Sequence, residues 1–134
     1  NFLSTDCIVC AVMDARCLQV YNALFEIKNG VVTRLCDDRA LSLDDLKNEL
    51  LSVDGRIIIA GDGTDITCKY IGNEIKNAES APVNLKYQRA SSTALVAFEM
   101  INNGQTVSPQ ELMPVYLRLP QAQRQLNKLG GRTK

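Results

Sequence analysis

The sequence predicts an α/β fold in which three antiparallel strands precede alternating helices and strands. Three observations carry this expectation. Residues 7–13, "CIVCAVM", form a nearly continuous run of Val, Ile, Ala, Cys and Met, which suits a strand buried on both faces, since a half-exposed strand alternates. An Asn-Gly pair, Asn29-Gly30, separates two further apolar runs. Residues 43–53 then change to helical spacing, with Leu43, Leu46, Leu50 and Leu51 or Val53 recurring on one face.

The first strand spans Cys7 to Met13 and meets a polar corner at Asp14-Ala15-Arg16. The second spans Leu18 to Ile27, with Leu18, Val20, Asn22, Leu24 and Glu26 on one side and Gln19, Tyr21, Ala23, Phe25 and Ile27 on the other. Tyr21 alternates with the buried side and reads as core. Lys28-Asn29-Gly30 predicts a tight hairpin, because Asn-Gly accepts the positive φ angles that turns between right-twisted strands require. Val31 to Cys36 makes the third strand.

Asp37 to Ser42 is polar and reads as a loop ending in Ser42, an N-cap for the helix at residues 43–53, whose first turn carries Asp44 and Asp45. Asp54-Gly55 stops that helix, "RIIIA" at 56–60 is a short buried strand, and Gly61-Asp62-Gly63 leads into a helix from Thr64 to about Glu74. Residues 81–87, "APVNLKY", read as extended with one short strand, because Pro82 opposes regular pairing. Ser91 or Ser92 caps a helix running to Asn103 and stopped by Gly104, with Leu95, Val96, Phe98, Met100 and Ile101 as its apolar face. Ser108, Pro109 and Glu111 match an N-cap, first-turn Pro and capping-box acid, predicting one helical turn at 107–113.

This order is that of ribonuclease-H-like folds, used twice in the actin-like ATPase and sugar-kinase superfamily, an analogy that says nothing of activity by itself. A chain of 134 residues that is 46% hydrophobic buries on the order of two-thirds of its unfolded surface without disulfides. The five cysteines, Cys7, Cys10, Cys17, Cys36 and Cys68, lie in or beside apolar segments and read as free thiols acting as small hydrophobes in a reducing cytoplasm. Cys7 and Cys10 form a CxxC, yet within a strand they point to opposite faces, whereas redox and zinc pairs sit on turns or helix starts. No segment reaches the roughly 18 apolar residues of a membrane span and no signal peptide is visible, so a soluble, cytoplasmic protein is expected.

Fifteen acids balance fifteen bases, but residues 119–134 carry Arg124, Lys128, Arg132 and Lys134 with no acid. The expected organisation is a domain at 1–118 and a basic tail at 119–134, helical in part. The tail is either a solvated end or a contact for RNA or an acidic protein surface. With no histidine in the chain, no His-rich metal motif, imidazole base or Ser-His or Cys-His pair can form. No catalytic residue and no metal ligand is assigned. Asp37-Asp38 and Asp44-Asp45 are acid pairs in a loop and in a helix's first turn, and the latter complements the helix dipole.

Three motifs carry a resemblance. "MDARCLQVYNALFE" (13–26) resembles the second-domain opening of the TsaB (YeaZ) family of bacterial tRNA threonylcarbamoyladenosine biosynthesis proteins. "IIIAGDGT" (57–64) resembles that family's apolar strand and Gly-x-Gly, and "MPVYLRLPQAQRQL" (113–126) its C-terminal Pro-x-Tyr-Leu-Arg signature with the charged helix that follows. The family's first domain, opening with an Asp-Thr-Ser-like turn, has no counterpart here, so a C-terminal domain fragment is expected. The resemblance implies a non-catalytic subunit that pairs with TsaD-like and TsaE-like partners and supports threonylcarbamoyl transfer to adenosine of tRNA. TsaD-like proteins hold the metal and nucleotide, so no cofactor is expected here, with ATP or ADP present only in the intact complex. An older label, M22 glycoprotease or glycoprotein endopeptidase, comes from homology to that partner, and a chain without histidine argues against it.

The fold analogy also places two turns together. Adjacent parallel first and fourth strands would bring Asp14-Ala15-Arg16 and Gly61-Asp62-Gly63-Thr64 to one sheet edge, where ligands of open α/β sheets collect. Gly61, Asp62, Gly63 and Thr64 are therefore the candidate nucleotide-binding residues, with Gly admitting close approach and a helix start offering free N–H groups. Asp14, Arg16, Tyr116 and Arg118 are the candidate interaction residues. The bland readings stay open: Asp14 and Arg16 brace their own turn, Asp62-Gly63 makes a tight turn, Tyr116 packs on the last helix, and Arg118 caps a helix or pairs with an acid. Two other functional classes also remain, a nucleotide-dependent phosphotransferase or ATPase half-domain, and a dimerisation module using the Val31–Cys36 strand as a free sheet edge in a homodimer.

Overall fold

The structure, a computed structural model, describes residue 2 and residues 4–118. The basic stretch 119–134, expected to be helical in part, lies outside the described residues. Strand β1 (Cys7–Asp14) pairs antiparallel with β2 (Gln19–Lys28), in register from Cys7 opposite Ile27 to Asp14 opposite Val20. Asn29 and Gly30 take φ angles of 50° and 76°, the turn that Asn-Gly favours, and β3 (Val31–Arg34) returns along the outer half of β2. It is shorter than the expected Val31–Cys36 run. Leu35 N–H still donates to the Leu24 carbonyl, but Leu24 N–H donates to Cys36 Sγ instead of a ladder carbonyl, which ends the pairing.

The first correction lies at Arg39–Ser42, expected as loop, which forms β4 and pairs with the inner half of β2 from Gln19 opposite Ser42 to Asn22 opposite Arg39. β3 and β4 are thus two pieces of one edge interrupted at residues 35–38. Ser42 does cap helix α1 (Leu43–Leu50): its Oγ accepts from Asp45 N–H at 3.1 Å and donates to Asp45 Oδ2 at 2.6 Å.

β5 (Ile57–Ala60) runs parallel and adjacent to β1, with Ile8 opposite Ile57 and Ala11 opposite Ala60. Helix α2 (Thr64–Ile71) ends at Gly72, earlier than Glu74. The second correction concerns residues 81–87. The added strand, β6 (Ala78–Ser80), precedes that stretch and pairs parallel with β5, while Val83–Lys86 is a helical turn, α3, opened by Pro82. Pro82 has no N–H to lose there, and its carbonyl accepts from Leu85 N–H. The strand order is β3-β2-β1-β5-β6, with β4 also on β2.

The sheet has two unlike faces. Alternation sends Cys10, Val12, Val20, Leu24, Ile57 and Ile59 toward α1 and α2, where Leu43, Leu46 and Leu50 complete the main core. Each such fully buried Leu contributes about 1.5–3 kcal/mol. The opposite face holds a smaller cluster of Cys7, Val9, Ile27 and Ile58 under Phe2, Ala81 and Leu85, so Cys7 and Cys10 do point to opposite faces. Cys17, expected to act as a small hydrophobe, is exposed in the corner after β1, where the polar turn gives it nothing to pack on.

Helix α4 (Ala90–Asn102) stops at Gly104 as expected, whose φ of 69° suits a C-terminal stop, but it starts before Ser91 and Ser92: Arg89 is its N-cap, without a side-chain cap bond, and both serines lie in its first turn. Its apolar face is not part of either core. Leu95, Val96, Phe98, Met100 and Ile101 are all exposed among the described residues. The helical turn expected at 107–113 is a hydrogen-bonded turn short of a helix: Glu111 N–H donates to the Ser108 carbonyl rather than to its hydroxyl, while Ser108 N–H and Oγ both donate to Glu111 Oε2 at 3.0 and 2.8 Å. Those bonds hold the Glu111 carboxyl below its ordinary range.

Candidate functional site at the open sheet edge

Because β1 and β5 are parallel neighbours, the chain leaves both at the same end of the sheet. The structure thereby brings together the Asp14 corner and the Gly61 turn. Asp14 N–H donates to Asp62 Oδ1 at 3.3 Å, and Gly63 N–H donates to the Val12 carbonyl at 3.2 Å. Residues 16–18 are three consecutive left-handed residues, with φ of 64°, 54° and 56°. Asp14 Oδ1 accepts from Arg16 N–H at 2.7 Å, and Arg16 Nη1 stands 3.4 Å from Asp14 Oδ2 with its side chain 84% exposed. The carboxylate therefore braces a backbone that L-residues otherwise avoid.

The Gly61-to-Thr64 turn is closed rather than cradle-like. Gly61 N–H donates to the Lys86 carbonyl at 2.7 Å, Gly63 N–H to Val12, and Thr64 N–H to the Gly61 carbonyl at 3.3 Å. A Cβ on Gly61 would stand 2.0 Å from the Val12 carbonyl oxygen, and one on Gly63 would meet the Asp14 amide at 3.1 Å. These glycines let the β5–α2 turn press against the end of β1. Their N–H groups are spent inside the protein, and a phosphate cradle needs them free.

Beside this edge, on the face away from α1 and α2, lies an open cavity of about 540 Å³. Its floor is a row of small side chains: Ala23 stands opposite Ala11, and Ala11 opposite Ala60, in three neighbouring strands. Tyr21 and Phe25 flank the row, and Tyr87 and Tyr116 also line the space. Tyr21 is thus half-buried in a cavity wall rather than in the closed core. The alternation of Tyr21, Ala23 and Phe25 was visible in the sequence, but the row arises only from the register of three strands.

Tyr116 is 86% exposed, and the last helix on which it was expected to pack lies outside the described residues. Arg118 neither caps a helix nor pairs with a described acid. Its Nη1 donates to the carbonyl of Ala15, tying residue 118 to the Asp14 corner, while Nε and Nη2 are buried without a hydrogen-bond partner among the described residues. Behind the sheet, a second polar group escaped the sequence reading. Buried Asn22 donates from Nδ2 to the carbonyls of Ala11 and Ala23 at 3.0 and 3.3 Å. Its Oδ1 accepts from Arg39 Nη2 at 3.0 Å, and Arg39 also pairs with Glu49 at 2.6 Å.

Asp44 accepts from the Tyr70 hydroxyl at 2.6 Å and Asp38 pairs with Arg34 at 2.8 Å. Among the described residues no three His, Cys, Asp or Glu side chains are grouped to hold a metal ion. No helix in that range is long and apolar enough to cross a membrane.

No protein-family model matches the chain, and no curated protein matches it. Solved structures do. An uncharacterized protein from Pseudomonas aeruginosa with similarity to peptidase YEAZ superposes with a TM-score of 0.57 at 19% identity, over 83% of this chain and 49% of that one. YeaZ from Pseudomonas aeruginosa matches with the same score and identity, over 82% of this chain and 49% of its own. The chain therefore spans about half the length of these structures and has a mixed α/β fold similar to theirs.

Proposed function

We propose that this chain is a TsaB-type second domain with a ribonuclease-H-like fold. In this reading it serves as a non-catalytic subunit in threonylcarbamoyl transfer to adenosine of tRNA by a TsaD-like partner. The observation that carries it is the fold likeness to YeaZ over most of this chain, joined to the Asp14-Ala15-Arg16 and Pro114-Val115-Tyr116-Leu117-Arg118 segments. Arg118 reaches back to Ala15, so these two segments meet at one edge. The β3-β2-β1-β5-β6 order supports the fold assignment.

The closed Gly61 turn supports a structural rather than nucleotide-binding role for Gly61, Asp62, Gly63 and Thr64, with ATP or ADP held by the assembled complex. Asp14 and Arg16 keep the corner in shape, while exposed Tyr116 is available for contact with TsaD-like or TsaE-like subunits. A cytoplasmic location follows from the tRNA substrate.

Titration calorimetry of this chain against a TsaD-like partner, with and without ATP, tests the proposal. Saturable heat with the partner and none with ATP alone is the expected result. Absence of binding to the partner overturns the subunit role, and ATP binding by the chain alone favours the phosphotransferase or ATPase half-domain. A concentration-dependent homodimer without partner binding favours the dimerisation module through the exposed β3 edge.

A further inference from the structure

We propose that helix α4 is a strap that closes over the Ala23-Ala11-Ala60 row and seats Leu95, Phe98 and Ile101 in the cavity above it. The two faces of the sheet are unequally covered. α1 and α2 bury one, whereas the other carries Phe2, Ala81 and Leu85 and, beside them, an open cavity of about 540 Å³. An apolar sheet face is stabilised when another element packs on it. From Tyr87 to Leu117 every residue except Ser92 is exposed, and no side chain of α4 joins either core cluster. An uncovered sheet face and an uncovered helix face therefore belong to one chain.

The tether holds these two faces close. Leu85 to Gln88 line the cavity, α4 begins two residues later at Ala90, and the chain is back at the cavity by Val115. Both ends of the excursion thus lie on the rim. At the near end Tyr87 and Arg89 have extended backbones, with φ of −94° and −126°. The bonds there, from Arg89 Nη2 to the Asn84 carbonyl and from Gln88 Nε2 to Met13 Sδ at 3.6 Å, are exposed polar contacts that water can replace. At the far end, residues 105–114 follow Gly104 with one hydrogen-bonded turn. Ten residues reach up to about 33 Å when extended, against about 20 Å for the length of α4, which is slack enough for the helix to swing.

The faces also match in shape. Leu95, Phe98 and Ile101 recur every third residue and form one stripe of α4. Alanine in three neighbouring strands makes a trough between Tyr21 and Phe25, and so short a side chain at each place leaves room for the bulky ones of a helix. The one charged residue of α4, Glu99, lies about 100° round the helix from Phe98 and stays at the rim. Closure within the chain also outcompetes a second copy, because a short tether holds α4 at an effective concentration in the millimolar range. This inference does not rest on the tRNA reading.

The test is methyl NMR and hydrogen exchange on the full chain. Closure predicts nuclear Overhauser contacts from the Phe98 ring to the methyls of Ala11, Ala23 and Ala60, present in dilute samples and absent between differently labelled copies. Phe98→Asp should abolish them and speed exchange of the α4 amides by about tenfold or more, since a charge in the trough opposes closure. Val96→Asp makes a similar change in helix propensity on nearly the opposite side of α4, and should alter exchange by less than about threefold. Both positions are exposed and lie outside the core clusters, so both variants keep the fold. Even in the unaltered chain the strap opens far more often than β1, because only one helix face holds it shut. Contacts found only between copies, alanine methyls touched by residues 119–134 instead of Phe98, no contacts at all, or equal exchange in the two variants would each overturn the proposal.

Discussion

Gly61 and Val12 are packed backbone to backbone: a methyl on Gly61 would stand 2.0 Å from the Val12 carbonyl oxygen, at a φ of 116° that L side chains rarely adopt. Gly61→Ala must therefore move the β5–α2 turn away from β1. Gly55 also has a positive φ, 85°, but open space around it. Gly55→Ala should cost about 1 kcal/mol and Gly61→Ala about 3 kcal/mol or more. Denaturant unfolding of both variants checks this, and equal losses would show that backbone conformation alone, not contact with Val12, requires glycine at 61.

Asp14 and Arg16 should respond unequally. Asp14 Oδ1 accepts the Arg16 N–H at 2.7 Å, whereas the Arg16 side chain is 84% exposed and its ion pair is long, at 3.4 Å. Asp14→Ala should cost about 1 kcal/mol through the lost brace, and Arg16→Ala less than about 0.5 kcal/mol. Thermal melts compare the two. If both variants melt normally and Asp14→Ala loses binding to a TsaD-like partner, the corner's role lies in contact rather than in holding its turn.

The polar group under the sheet gives a similar contrast. Asn22 is buried and satisfies two β-strand carbonyls, so Asn22→Ala should cost about 2–3 kcal/mol. The Arg39–Glu49 pair is about a third exposed on both sides. Glu49→Gln should then cost less than about 1 kcal/mol, because solvent screens most of the attraction. Chemical denaturation of the two variants checks the order, and a larger loss for Glu49→Gln would reverse the assignment of which group holds β4 to β2.

Cys10 carries a pH signature. Burial pushes its thiol from an ordinary 9.0 up to about 12, against the smaller opposing effect of the Asn22 hydrogen bond. In the unfolded chain the thiol ionises first, so between pH 9 and 12 the unfolded state binds fewer protons. The stabilisation from keeping this thiol neutral is full below about pH 9 and is lost as pH rises toward 12. Cys10→Ala should flatten the alkaline decline in stability. In native protein at neutral pH, iodoacetamide should label exposed Cys17 and spare Cys10; rapid native labelling of Cys10 would contradict its burial.

How much of this was legible in the sequence depended on how local the cause was. The hairpin at Asn29-Gly30, the Ser42 cap and the contact of Ser108 with the Glu111 carboxylate were readable because neighbours within a few residues create them. β4 was not, since Arg39-Ala40-Leu41-Ser42 becomes a strand only because β3 leaves the inner half of β2 unpaired. The turn at Val83–Lys86 was obscured by Pro82, which blocks a strand but opens a helix equally well. Among the candidate site residues, adjacency of Asp14 and Asp62 followed from parallel β1 and β5. The fate of Arg118 did not, because its partner carbonyl lies 103 residues away. The alanine row was hidden for the same reason, being a property of register across three strands.

α4 offers a test of what covers an apolar helix. Leu95, Phe98 and Ile101 are 68%, 63% and 60% exposed, and no α4 residue joins either core cluster. A helix of 13 residues without packing is marginal in water, since nucleation offsets most of what its hydrogen bonds contribute. Its amides should therefore exchange with solvent by local opening, orders of magnitude faster than those of β1, whose central residues are buried between β2 and β5. Hydrogen exchange on the isolated chain at several concentrations checks this. Uniformly fast exchange matches a helix stabilised only by its own backbone. Protection that rises with concentration would mean that a second copy covers Leu95, Phe98 and Ile101, and protection independent of concentration would mean that the chain itself does so.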